Sequence, residues 1–258
     1  GTSYVAWCWK AGGSASSNSD GTNITSTVSA NTDAGFSIAS YTGSGTDSDT
    51  VGHGLGSAPK MIILKKRDAL DSWYVMHTSL SANNALLLDG ASAEYGLGTL
   101  TYGVLSTSPT SSVFSFAAGA GAVPTGNVNN SSSTYITYCF AEKQGFSKFG
   151  TYTGNGSADG TFCFTGMKPA FVMVKKSSST SGWAIYDNKR SSYNVMDLRL
   201  LADTEGAEDQ SSDNNLDFLS NGFKFRASAG WNASATYVYM AFAEAPFVNS
   251  NGVPCNAR

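Results

Sequence analysis

The chain has 258 residues, a formal net charge of -3 at pH 7 and 14% charged residues, against roughly 25% in an average soluble protein. Gly, Ser, Thr and Asn fill the difference, and the runs Lys65-Lys66-Arg67, Lys175-Lys176 and Lys189-Arg190 are too short to build the basic surface that a nucleic-acid binder needs. No apolar stretch approaches the roughly 20 residues that cross a bilayer, and no charged-then-apolar leader opens the sequence, so neither nucleic acid nor membrane insertion is expected.

In chain order, the first element is Tyr4-Val5-Ala6-Trp7-Cys8-Trp9. Its β-branched and aromatic residues predict a strand with Val5, Trp7 and Trp9 on one face and Ala6 and Cys8 on the other. Residues 11–23 are a Gly/Ser/Asn-rich loop or linker, and residues 24–30 alternate as a second strand. From Gly35 the chain begins a pattern that it later repeats. Gly35-Phe36-Ser37 returns as Gly145-Phe146-Ser147, and Tyr41-Thr42-Gly43 as Tyr152-Thr153-Gly154. The run from Ala58-Pro59 to Lys65-Lys66 returns from Lys168-Pro169 to Lys175-Lys176, and Trp73 returns as Trp183. Phe114-Ser115-Phe116 returns as Phe223-Lys224-Phe225. Both stretches close with a relative of the first strand, Tyr135-Ile136-Thr137-Tyr138-Cys139-Phe140 and Tyr237-Val238-Tyr239-Met240-Ala241-Phe242, and then a shared Phe-Ala-Glu.

Short strand-like segments bounded by Gly, Pro, Asn and Ser predict an all-β chain with little helix. The expected architecture is two tandem antiparallel β-sandwich repeats, jelly-roll-like, at residues 35–142 and 143–245. Residues 1–34 are expected to supply the closing strand of an upstream unit, a linker and a lead strand, and 246–258 a tail. The first strand could also pair into the first sandwich or into a neighbour. Residues 194–203 are the one place where a helical turn or two is expected. The expected core includes Trp7, Trp9, Trp73, Tyr138, Phe140, Trp183 and Phe242.

Little in the chain has the pattern of chemistry. Cys8 and Cys139 occupy one position of the recurring strand, where the third copy has Ala241, so these thiols are expected to be small packing groups. His53 lies in a glycine turn, and His77 aligns with Asp187, so neither forms the paired base that a nucleophile requires. Gly43-Ser44-Gly45 and Gly154-Asn155-Gly156 lack the Lys-Ser/Thr of a phosphate loop and suit hairpin turns. Asp203, Glu205, Glu208 and Asp209 form an acidic group that could hold calcium, although the spacing is not that of a known loop. Residues peculiar to one half are freer to bind, which makes Tyr95, Tyr102 and Trp231 candidate glycan contacts. No cofactor is expected.

The ordered set Tyr4 to Gly12, Ile24 to Asn31, Val51-Gly52-His53-Gly54-Leu55 before Ala58-Pro59-Lys60, Gly145-Phe146-Ser147-Lys148, Tyr152-Thr153-Gly154-Asn155-Gly156 and Met240-Ala241-Phe242-Ala243-Glu244 resembles a repeat domain of virion structural proteins in marine bacteriophages, commonly of tail-fibre or tail type. The resemblance implies a non-enzymatic segment of a tail fibre or appendage on the virion exterior. It implies assembly in the bacterial host cytoplasm, homo-oligomerisation (a trimer by analogy), other virion proteins as partners and contact with a host-surface glycan. The alternatives left open are a capsid decoration or filament subunit joined by strand exchange, and a carbohydrate-binding module or polysaccharide-degrading enzyme.

Overall fold

The computed structural model describes residues 4–96, 104–117 and 127–244. It is all-β and antiparallel, as the composition predicts. The first half contains β1 (Ser16–Asn18), β2 (Ser26–Asn31), β3 (Phe36–Thr42), β4 (Thr50–Gly52), β5 (Met61–Lys66), β6 (Trp73–His77), β7 (Asn84–Leu87), β8 (Tyr95–Gly96), β9 (Val104–Leu105), β10 (Val113–Ala117) and β11 (Thr134–Phe140). The second contains β12 (Ser147–Thr153), β13 (Phe162–Phe164), β14 (Pro169–Lys176), β15 (Trp183–Asp187), β16 (Leu198–Leu201), β17 (Asp209–Gln210), β18 (Leu216–Leu219), β19 (Gly222–Phe225) and β20 (Thr236–Ala243).

A large sheet in the order β1-β2-β3-β11-β5-β6-β7-β8 packs on a small sheet β4-β10-β9. The second large sheet, β12-β20-β14-β15-β16-β17, packs on β13-β19-β18. The order β3-β11-β5-β6-β7 thus has a strand-for-strand counterpart in β12-β20-β14-β15-β16. Both recurring strands are central, with neighbours on each side, which explains why neither of their faces is strongly polar. The two faces have different jobs. Tyr135, Cys139 and Ala141 point into the first sandwich, and Tyr237, Tyr239 and Ala241 into the second. The bulky faces, Tyr138 with Phe140 and Val238 with Met240 and Phe242, point the other way and meet in a third cluster between the large sheets. The architecture is therefore four layers, small sheet, large, large, small.

Three expectations change. Residues 4–10 belong to no strand. They lie on faces of the sheets, and a ladder can form only along an edge. Cys8 is consequently exposed, whereas Cys139 and Cys163 are buried and free, with burial pushing both thiols up to about 12. Residues 194–203 give no helix: alternation puts Leu200 into the central cluster and Leu201 against the second sandwich core, which makes β16. Within the supposed linker, β1 pairs with β2.

Candidate functional site: the seam between the large sheets

Large apolar side chains from both large sheets converge on one place. Phe36, Met61, Val75, Leu86 and Phe140 of the first large sheet face Phe149, Phe171, Met173, Ile185, Met240 and Phe242 of the second, all buried. The N-terminal segment seals this seam. Trp9 meets Phe140, Phe171 and Phe242 edge-on, with ring centroids 5.9, 5.6 and 5.4 Å away, and Trp7 meets Phe171 at 5.7 Å. Such edge contacts set the electropositive ring rim against an electron-rich face. Trp7 also donates from Nε1 to Asp187 Oδ2 at 3.1 Å, and the Arg190 guanidinium lies over its ring. The first copy of the motif therefore uses its bulky face on the same seam as the other two, without joining a sheet. Tyr4, whose counterparts Tyr135 and Tyr237 stack on Tyr41 and Tyr152, is instead 91% exposed.

Polar contacts cross the seam as well. Trp183 Nε1 donates to Leu87 O at 2.7 Å, and the buried Lys175 ammonium donates to Ala91 O at 3.2 Å and Ser92 O at 2.8 Å. Trp73, the counterpart of Trp183, stays half-exposed, stacked on Tyr138 under the Lys65 ammonium. His77 is buried here. Its Nδ1 accepts from Ser79 N–H, so the proton sits on Nε2, which donates to Tyr239 O at 3.3 Å. Burial draws its pKa down to about 4. His53 has the same pattern, accepting from Leu55 N–H and donating to Thr110 O, and burial lowers its pKa too. Both imidazoles are structural links with both nitrogens engaged.

Sequence reasoning missed a pair of buried amides. Asn232 accepts from Asn155 N–H and Thr161 N–H, and donates to Asn155 Oδ1, Ser157 O and Ala227 O. Asn129 similarly accepts from Ser44 N–H and donates to Ser44 Oγ and Thr46 O. The glycine loops of the two halves are thus not hairpin turns. Each is pinned from within by an asparagine that precedes the closing strand. A Cβ on Gly43 would lie 2.2 Å from Asn130 O, and one on Gly154 2.1 Å from Ala233 O, so the recurring Tyr-Thr-Gly cannot carry a larger third residue. The signal available in the sequence was an Asn five or six residues before each closing Tyr.

The candidate binding residues do not gather. Trp231 is 6% exposed, donates to Gly182 O and carries the Arg199 guanidinium 4.5 Å over its ring, which leaves no face for a sugar. Tyr95 packs half-buried against the first sandwich core. Tyr102 and Cys255 lie outside the described residues. The acidic residues are spent separately: Asp203 accepts from Trp183 N–H, Glu208 pairs with Arg190, and Asp209 pairs with Arg199, while Glu205 faces solvent. Among the described residues no three His, Cys, Asp or Glu side chains converge as metal ligands, and Arg190 and Arg199 hold Glu208 and Asp209 in separate ion pairs.

Comparison with known proteins finds one family, described as a domain of unknown function (DUF7483), whose model matches residues 1–246. No curated protein and no solved structure matches the chain.

Proposed function

The chain belongs to the DUF7483 family, and we propose that it is a non-enzymatic structural segment of a bacteriophage virion, part of a tail fibre or similar appendage. The seam carries this reading. Two sandwiches joined back to back through their large sheets, with an N-terminal strap across the joint, make a stiff element of the kind an appendage needs. The side chains with the most chemical potential are consumed in holding that joint, His77, Lys175, Asp187 and Trp183 among them. The ordered motif set, which resembles the virion repeats, supports the same reading. As an appendage segment it assembles with copies of itself and with other virion proteins.

The test is placement on the particle. Gold-labelled antibody raised against the chain is expected to decorate a tail or appendage in electron micrographs of virions. Label on the capsid alone would shift the role to decoration, and turnover of a polysaccharide by the purified chain would overturn the non-enzymatic assignment.

A further inference from the structure

Two phenylalanines stand uncovered on β13. Phe162 is 43% and Phe164 62% exposed, and as alternate residues of one strand they share a face about 7 Å apart. The ladder identifies their counterparts in the first half. Cys163 faces Phe223 as Val51 faces Phe114, so Phe162 and Phe164 correspond to Thr50 and Gly52. There the chain covers its own strand. A Cβ on Gly52 would lie 1.7 Å from Asn18 Oδ1, and Thr22 N–H donates to Thr50 Oγ1 at 2.8 Å. The cover is the β1–β2 hairpin and its loop. Among the described residues the second half has no such hairpin, and β12 forms the edge of its sheet.

An open cleft of about 580 Å³ lies beside Phe164, lined also by Glu142, Gln144, Lys148, Thr165 and Asn221. Glu142 and Lys148 pair at 2.8 Å, which cancels their charge locally. Gln144 and Asn221 are exposed, and their side-chain amides carry no hydrogen bond within the described residues. The cleft thus offers an aromatic platform, two free planar amides and a neutralised ion pair.

We propose that this cleft binds a neutral saccharide, with a pyranose ring stacked on Phe164 and its hydroxyls bonded by Gln144, Asn221 and the Glu142–Lys148 pair. Sugars combine an apolar C–H face with vicinal hydroxyls that donate and accept, which matches a ring bordered by amides able to do both. An anion finds no net positive charge, and a hydrophobic peptide finds only one apolar wall. In the first half the Asn18 amide takes the place of the Phe164 side chain itself, so the exposed ring is peculiar to the second half. Saccharide binding here is independent of where the chain sits on a particle.

The experiment is saturation-transfer difference NMR and titration calorimetry of the full chain against neutral malto-, cello- and chito-oligosaccharides. At least one series is expected to bind with saturation transferred to its ring C–H protons. Phe164→Ala weakens that binding about tenfold or more, and Gln144→Ala and Asn221→Ala weaken it separately. Tyr193→Ala, at another exposed aromatic, leaves it unchanged. All four side chains are exposed, so the melting temperature stays at the wild-type value and loss of binding cannot be loss of fold. Absence of binding to all three series, or binding that survives Phe164→Ala, overturns the proposal.

Discussion

Asn232 shows how much one polar side chain can organise. Its two amide protons are shared among three oxygens and its carbonyl oxygen accepts two N–H groups, in a site closed to solvent. Asn232→Ala is expected to cost about 1–3 kcal/mol, since carbonyls left unpaired in a buried site lose their water without replacement. Asn232→Asp preserves the shape but turns an oxygen towards three oxygens, so it should cost more than the alanine variant in urea denaturation. Equal costs would mean that the packing, not the donor set, matters. The two histidines make stability sensitive to acid. For His77 the folded state titrates at about 4, below the ordinary 6.5, and His53 is lowered in the same direction. The unfolded chain therefore binds the proton first as pH falls. Stability is full above pH 6.5 and declines between about 6.5 and about 4, by at most about 3 kcal/mol from His77. Denaturation midpoints across that window should show the decline, and His77→Gln should flatten it. The histidines' burial is not visible in the sequence, where a lone His has no periodicity to betray it, and the asparagines are marked only by their recurrence shortly before each closing Tyr.

Elements were more legible than residues, and the reason is alternation. The strands around Met61, Phe171, Tyr135 and Tyr237 announce themselves because β-branched and aromatic residues recur along a period of two. What alternation does not encode is whether an extended segment has an edge to pair with. Residues 4–10 carry the same pattern as β11 and β20, yet they lie across ring faces and form no ladder. The same pattern hides which bulky face looks into a sandwich and which into a joint between two. For Phe140 and Phe242 it is the joint. The acidic group at residues 203–209 was misleading because its arginine partners, Arg190 and Arg199, come from other segments. The strap can be tested directly. Replacing Trp7 and Trp9 together by Ser removes two half-buried rings from the seam, at an expected cost of about 2–4 kcal/mol. The far-ultraviolet circular dichroism of the folded protein should remain that of wild type, since no ladder is lost. A change in strand content would show that the segment does pair with a sheet.

At the scale of the molecule, the seam decides how the two halves behave. A few of its buried side chains, at about 1.5–3 kcal/mol each, already match the roughly 5–15 kcal/mol that holds a domain folded. Parting the halves is then as costly as unfolding one of them. The edges are protected differently on the two sides. On the first sandwich β2 and β1 extend the sheet beyond β3, whereas on the second the Glu142 carboxylate takes Phe149 N–H on β12 and pairs with Lys148, placing charge where another strand would add. The sequence indicated the recurring segments but not that their large faces meet each other, because a face that packs on a neighbouring layer has the same composition as one that packs inside.

Scanning calorimetry of the whole chain bears most directly on this account, because the seam makes two sandwiches one stiff body only if they unfold together. A single transition is predicted, with calorimetric and van't Hoff enthalpies equal. Two resolved transitions, or a calorimetric enthalpy about twice the van't Hoff value, would contradict it.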